Sequence, residues 1–333
     1  MRISRLLAAG AVALAATTGT PAAALTGPAD TLAEPGPVVH VSPTGTSTGT
    51  GTADDPAGSL ARAVELLTAA GGTTATIVVG EGTYHEARSV SFRSVPQDVV
   101  TLRPAEAGTR PIFDGSLATG ASHYWLNTAG GPSLDVAGLE VRDYRTGGIR
   151  MDTDDNIVDD VVFTHLGNRH VPDGPGYAAL HLLGSSGNVI SGNVFENLEN
   201  DSCPGCIHGV YAANGSSDNL VAGNVFDRIM GDPVRLRHDT HDNVFTHNVF
   251  TRSGDYLDAD GRWAHRAMAS FWRFRADEIC GTGNRVDHNT TDGRTYSGEV
   301  GQRMFGSGAE EGLERCALAV LGSDNVVDTS LAR

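Results

Sequence analysis

The sequence predicts an all-β solenoid: a parallel β-helix whose N-terminal end is covered by one helix. Three observations carry this. An Asn-centred segment recurs along the chain, the recurring units are short β-branched runs broken by Gly, Asn, Asp and Ser, and a single amphipathic helix precedes them.

The first residues are not expected to belong to that fold. Arg2 and Arg5 precede an apolar run, LLAAGAVALAA, and a small-residue site, PAAA, follows at 21–24. This is the pattern of a secretory signal peptide, residues 1–24, followed by a flexible mature N-terminus at 25–37. The apolar run is too short to span a bilayer, and no later segment is long and apolar enough, so no membrane span is expected. A single domain over 38–333 remains, with an N-terminal cap at 38–90 and coils at 91–333.

The cap comes first. A strand is expected at 38–42, then a Gly/Thr loop, then a helix from Ser59 to Ala70. Leu60, Ala63, Val64, Leu66 and Leu67 share one face of that helix, and Gly71-Gly72 stops it. A strand follows at 75–79. An amphipathic helix here can cover the open apolar end of a solenoid, as terminal repeats must.

The coils come next. GNVISGNVF (187–195), DNLVAGNVF (218–226), DNVFTHNVF (242–250) and GNRVDHNTT (283–291) align without gaps. DDNIVDDVVF (154–163) and SDNVVDTSL (323–331) are weaker copies. The leading Asn residues are 156, 188, 219, 243, 284 and 325, spaced by 32, 31, 24, 41 and 41. A helical solenoid would show apolar residues at 3.6 spacing, which these units lack. Asn tolerates left-handed backbone and can bond to an Asn one coil away, so a coil of about two dozen residues with inserted loops is expected.

Composition bounds the function. All 24 basic residues are arginine, so no step can use lysine as base, Schiff-base former or phosphate clamp. A net charge of −16 argues against nucleic acid, which needs an extended basic surface. The four cysteines, an even count in an exported chain, favour two disulfides, Cys203–Cys206 and Cys280–Cys316. CPGC as a redox or metal pair is the alternative, but neither a thioredoxin-like context nor a second CxxC accompanies it. A monomer is expected.

The opening VSPTG…DDPAGSLARAV…GEGTYHE resembles the N-terminal cap of secreted right-handed parallel β-helix proteins of the pectate-lyase-like superfamily, and the Asn repeats resemble its coils. The resemblance covers nearly the whole mature chain and implies fold more than activity. GEGTYHE also looks like the first motif of pectin methylesterases, but their later aspartate motifs are missing, and Gln97-Asp98 stands alone. Glycosidases of the superfamily carry paired aspartates and a late Arg-Ile-Lys, which this chain lacks. Its lyases use Arg or Lys as base, often with calcium held by acidic side chains. Only the arginine versions remain open.

Aligning the coils on their leading Asn builds a candidate site. His208 lies 11 residues before Asn219 and Asp232 lies 11 before Asn243, so Tyr211 falls level with Arg235. The alignment puts Arg273 near the same column, with Arg150 and His181 in the coils before. In RLRH, Arg235 and Arg237 alternate with Val234 and Leu236, the pattern of a half-buried strand with its arginines exposed. Stacked strands lie about 4.8 Å apart, so five coils span roughly 20 Å, a few sugar units. Arginine forks suit a carboxylate, and a carboxylate next to an acidic C–H suits β-elimination. Arg235, Arg237, His208 and Tyr211 are the catalytic candidates. Arg150, His181, Arg273, Trp272 and His238 are the substrate-binding candidates. Trp263 is a further stacking ring, and the long insert between Phe250 and Phe271 is expected to wall the face.

Plainer roles stand beside these. Exposed arginines keep a sheet soluble, His208 can satisfy a turn, and His238, His241 and His247 sit at turn or repeat positions. The acidic loops DTDD (152–155) and DYLDADG (255–261) raise calcium, with Asp152, Asp154 and Asp155 as ligands, but neither matches a full calcium-loop spacing. The expected function is a secreted lyase acting on an acidic polysaccharide. The alternatives are a glycoside hydrolase and a non-catalytic carbohydrate-binding β-helix.

Overall fold

A computed structural model describes residues 36–332 other than 120–122, 173, 255, 258–262, 265–266, 302, 318–319 and 323. The expected signal peptide, nearly all of the 25–37 segment and most of DYLDADG lie outside the described residues, as does the Trp263 side chain.

Each coil lays one short strand on each of three parallel sheets. One coil supplies Val189–Ser191, Val194–Leu198 and His208–Ala213, and the next supplies Leu220–Ala222, Val225–Ile229 and Val234–Leu236. They pair in register: Val189 with Leu220, Val194 with Val225, Val210 with Val234. Among the described residues the three sheets hold 10, 9 and 8 strands. Val158, Ile190, Val221 and Phe245 point inward from one sheet, and Phe163, Phe195, Phe226 and Phe250 from another, all at most 1% exposed. These four phenylalanines stack coil on coil at 5.3, 4.7 and 4.9 Å between centroids.

The Asn repeat is explained by two buried ladders at the corners. Asn156, Asn188, Asn219 and Asn243 each donate their backbone N–H and side-chain Nδ2 to the next Asn Oδ1, ending on Asn284. Asn193, Asn224, Asn248 and Asn289 do the same, ending on Asn325. Asn325 therefore belongs to the second ladder, not to the leading series in which its spacing had placed it. The final step of this ladder is 36 residues against 41 in the one before it, so counting 41 on from Asn284 in the first ladder lands on Asn325 in the second. The left-handed backbone also falls elsewhere than expected. It sits on the residue before each Asn: Asp155, Gly187, Asp218, Asp242 and Gly283 at one corner, with Gly192, Gly223, His247 and His288 at the other. His247 is thus a corner residue, stacked on His288 at 5.0 Å.

The expected helix and its two flanking strands form close to their expected positions. The helix spans Leu60–Thr68, with Ser59 as N-cap accepting from the Arg62 amide, and Leu60, Ala63 and Leu67 buried. It stops at Thr68 rather than Ala70, where Gln97 Nε2 donates to the Ala70 and Gly71 carbonyls. Gln97 therefore closes the helix end. The first strand runs on to Thr46, past its expected end, and the second is Thr74–Val79. Both disulfides form as expected.

Candidate active site on the eight-stranded sheet

Leu126, Ile149, Leu180, Val210, Val234 and Ala269 are level with one another and point into the core. The residue after each points outward. Asn127, Arg150, His181, Tyr211, Arg235 and Ser270 thus form one row, one residue per coil, across six coils. The expected pairing of Tyr211 with Arg235 holds.

Arg273 departs from expectation. Ser270, not Arg273, is level with Arg235. The turn between this strand and Asn284 is longer than the one before Asn243, so counting back from the Asn falls short of Ser270. The Arg273 guanidinium holds that turn instead, donating to Ala276 O at 2.8 Å.

Arg235 is outward from the core but not exposed, at 8%. It is not the solvent-facing cation that its alternation with Val234 and Leu236 implies. Its Nε and Nη2 donate to Asp232 Oδ2, which also accepts from Ser270 Oγ at 2.6 Å, and Trp272 covers the guanidinium at 5.3 Å. Asp232 is fully buried. His208 completes this cluster, its Nδ1 2.8 Å from the Asp232 carbonyl. Burial, and then the Arg235 charge, press His208 down to about 3, so it is neutral at ordinary pH.

Arg237 is more open. It donates through Nε to Glu278 Oε1 at 2.7 Å and through Nη1 to the Tyr211 hydroxyl at 3.2 Å, with Phe274 stacked 4.7 Å from Cζ. Burial pushes the Glu278 carboxyl up. The hydrogen bonds from Arg237 and the Phe274 amide outweigh it and hold the group below its usual value. Glu278 rides on the turn that ends at Cys280, which the disulfide to Cys316 fastens.

On the other flank His181 is 9% exposed, with Nδ1 2.6 Å from the Tyr124 hydroxyl. Tyr177 stacks on it at 5.7 Å and Tyr211 meets it edge-on at 4.9 Å. Burial, then Arg150, lower His181 to about 4. Arg150 donates to Asn127 Oδ1 at 3.3 Å, and Asp152 lies 3.6 Å away. Trp272 Nε1 donates to Glu310, and His238 Nδ1 accepts the Ile279 amide, so both hold the margin of the sheet.

The calcium candidates do not converge. Asp152 Oδ1 accepts from Thr128 Oγ1 and the Gly130 amide, Asp154 Oδ1 accepts the Ser186 amide, and Asp155 occupies a left-handed corner. Among the described residues no three His, Cys, Asp or Glu side chains gather as a metal site. This donor set is occupied by turns and does not fit a calcium ion.

Tyr124, Asp232, Ser270 and Glu278 escaped the sequence reading as site residues. Tyr124 precedes the first Asn repeat, so no register reached it. Glu278 lies in the turn whose extra length misplaced Arg273.

A family model described as "Right handed beta helix region" matches residues 125–259. The chain is a right-handed parallel β-helix. The resemblance expected from its cap and repeats holds at the level of fold. No curated protein matches it. Among solved structures, a pectate lyase is similar with TM-score 0.49 and 14% identity, covering 78% of this chain and 64% of its own. The chain thus spans less than two thirds of that enzyme. A rhamnogalacturonan lyase is similar with TM-score 0.49 and 16% identity, covering 77% and 68%. An alginate lyase from Paenibacillus sp. str. FPU-7 is similar with TM-score 0.46 and 13% identity, covering 88% and 98%. At such identities and TM-scores these likenesses carry no activity over to this chain.

Proposed function

We propose that the protein is an exported polysaccharide lyase that cleaves a uronic-acid glycan by β-elimination on the outer face of the eight-stranded sheet. One observation carries this reading: the Tyr211 hydroxyl sits between Arg237 and the neutral His181, in a row that also presents Arg150. In β-elimination the C5–H bond breaks, its electrons form the C4–C5 double bond, and the C4–O bond breaks with a proton delivered to the leaving oxygen. Arg150 would neutralise the carboxylate on C5 and stabilise the charge that develops there, and Arg237 would add positive charge beside Tyr211. Tyr211 is the group placed for proton transfer, with the His181 imidazole beside it. Arg235 and His208 support them from beneath as a buried cluster with Asp232. Two disulfides support export to an oxidising compartment. No helix among the described residues is long and apolar enough to cross a membrane.

A glycosidase needs two carboxyl groups, one of them protonated as the acid. Asp232 and Glu278 are each held in an ion pair with arginine, and Glu278 is held ionised. That arrangement favours elimination over hydrolysis. The test is Tyr211→Phe and Arg150→Ala on a polymer that the wild type cleaves. Tyr211→Phe should lower kcat by about 10²–10⁴-fold with binding retained, and Arg150→Ala should both raise KM and lower kcat. Full activity in both variants would refute the assignment. Retained binding with no cleavage by the wild type would favour a non-catalytic carbohydrate-binding protein.

A further inference from the structure

Tyr124 and His181 belong to strands two coils apart, yet their side chains meet. The strand between them is level at Gly147, which pairs with Tyr124 on one side and Ala178 on the other. A Cβ on Gly147 would lie 3.0 Å from Tyr124 Cε1 and 1.9 Å from the Ala178 carbonyl oxygen. The glycine lets the phenol ring cross the intervening coil and set its hydroxyl 2.6 Å from His181 Nδ1.

Both side chains belong to residues only 9% exposed, so the proton in this contact has few places to go. Among the described residues the Tyr124 hydroxyl has no other hydrogen-bond partner. If the imidazole donated, the phenolic proton of a nearly buried hydroxyl would be left without an acceptor. If the phenol donates, its proton is used and the imidazole keeps its own proton on Nε2, away from Tyr124. The second arrangement leaves no buried donor unsatisfied. Burial also raises the Tyr124 hydroxyl, which keeps its proton available.

We propose that Tyr124 is a positioning residue that donates its proton to His181 Nδ1 and fixes the imidazole as the Nε2–H form. His181 then offers the glycan an N–H donor rather than a lone pair, and Tyr211 is the proton acceptor. The second half rests on the lyase reading above; the tautomer does not. Arg150 and His181 are level on adjacent coils, about 4.8 Å apart. A guanidinium and an imidazole N–H at that spacing suit the oxygens of one uronate carboxylate. The row thus divides into a carboxylate-binding pair, Arg150 with His181, and a proton-transfer group, Tyr211 beside Arg237.

The tautomer is read directly by imidazole ¹⁵N chemical shifts in the full-length labelled protein, with the His181 signals assigned by their loss in His181→Gln. The expected spectrum has Nε2 protonated and Nδ1 unprotonated. In Tyr124→Phe the signal should become a mixture of both forms. A wild-type spectrum with Nδ1 protonated overturns the proposal, whether or not Tyr124→Phe folds. On a cleavable uronic polymer, His181→Gln keeps a donor and should retain about a tenth of the activity, whereas Tyr211→Phe should lose about 10³-fold. Equal loss in the two variants overturns the division of roles. A wild type that cleaves no uronic polymer overturns the lyase reading and leaves the ¹⁵N spectrum to decide the tautomer.

Discussion

At the scale of single residues, the two arginines of RLRH do different work although they lie two positions apart. Arg235 is nearly buried and bound to a fully buried Asp232, whereas Arg237 reaches the more open Tyr211 hydroxyl. Removing one partner of a buried ion pair leaves the other uncompensated, so Arg235→Ala should destabilise the fold by about 3–5 kcal/mol. Chemical denaturation would check this, and a loss below about 1 kcal/mol would mean the pair is solvated rather than buried. Alternation along the strand was enough to place both side chains outside the core. It was not enough to show which would be covered, because the covering groups, Trp272 and Ser270, arrive from the next coil after a long insert.

At the scale of elements, the coil is held by Asn ladders at two corners and by stacked phenylalanines inside. Asn219 accepts from the Asn188 amide and Nδ2 and donates to Asn243 Oδ1. Asn219→Ala should strand two donors in the dry interior and cost about 2–4 kcal/mol, read as a lowered denaturation midpoint with the slope unchanged. A change near zero would show that water replaces the ladder there. The ladders are also why the fold could be read from the sequence: a side chain that must bond its copy one coil away recurs as the same residue type. Arg273 and Asn325 were misplaced for the complementary reason. Turn lengths are not constrained by the ladder, so counting through a turn of unusual length loses register. The row from Arg150 to Arg235 lies where the turns are regular, and there the register held.

At the scale of the whole molecule, buried titratable groups set the response to acid. His181 and His208 are held near 4 and 3, against an ordinary 6.5. Between those values the unfolded chain binds protons that the native state does not. Stability therefore rises with pH across this window and is lost as pH falls below about 6.5, at up to about 1.4 kcal/mol per pH unit for each histidine. Glu199, which burial alone would raise but which His170, Tyr296 and Arg169 bring down to about 2, adds a loss below 4.5 with the same sign. The melting temperature should fall steadily from pH 7 to pH 4, less steeply in His208→Gln. A flat profile would show that both histidines titrate in the native state as they do in the unfolded chain. The central claim is that the outer face of the eight-stranded sheet is an elimination site for an acidic glycan. The most direct test is the chemistry of the new chain end after incubation with a panel of uronic polymers. The account predicts an unsaturated, ultraviolet-absorbing end from at least one polymer. A saturated end carrying an incorporated solvent oxygen would contradict it.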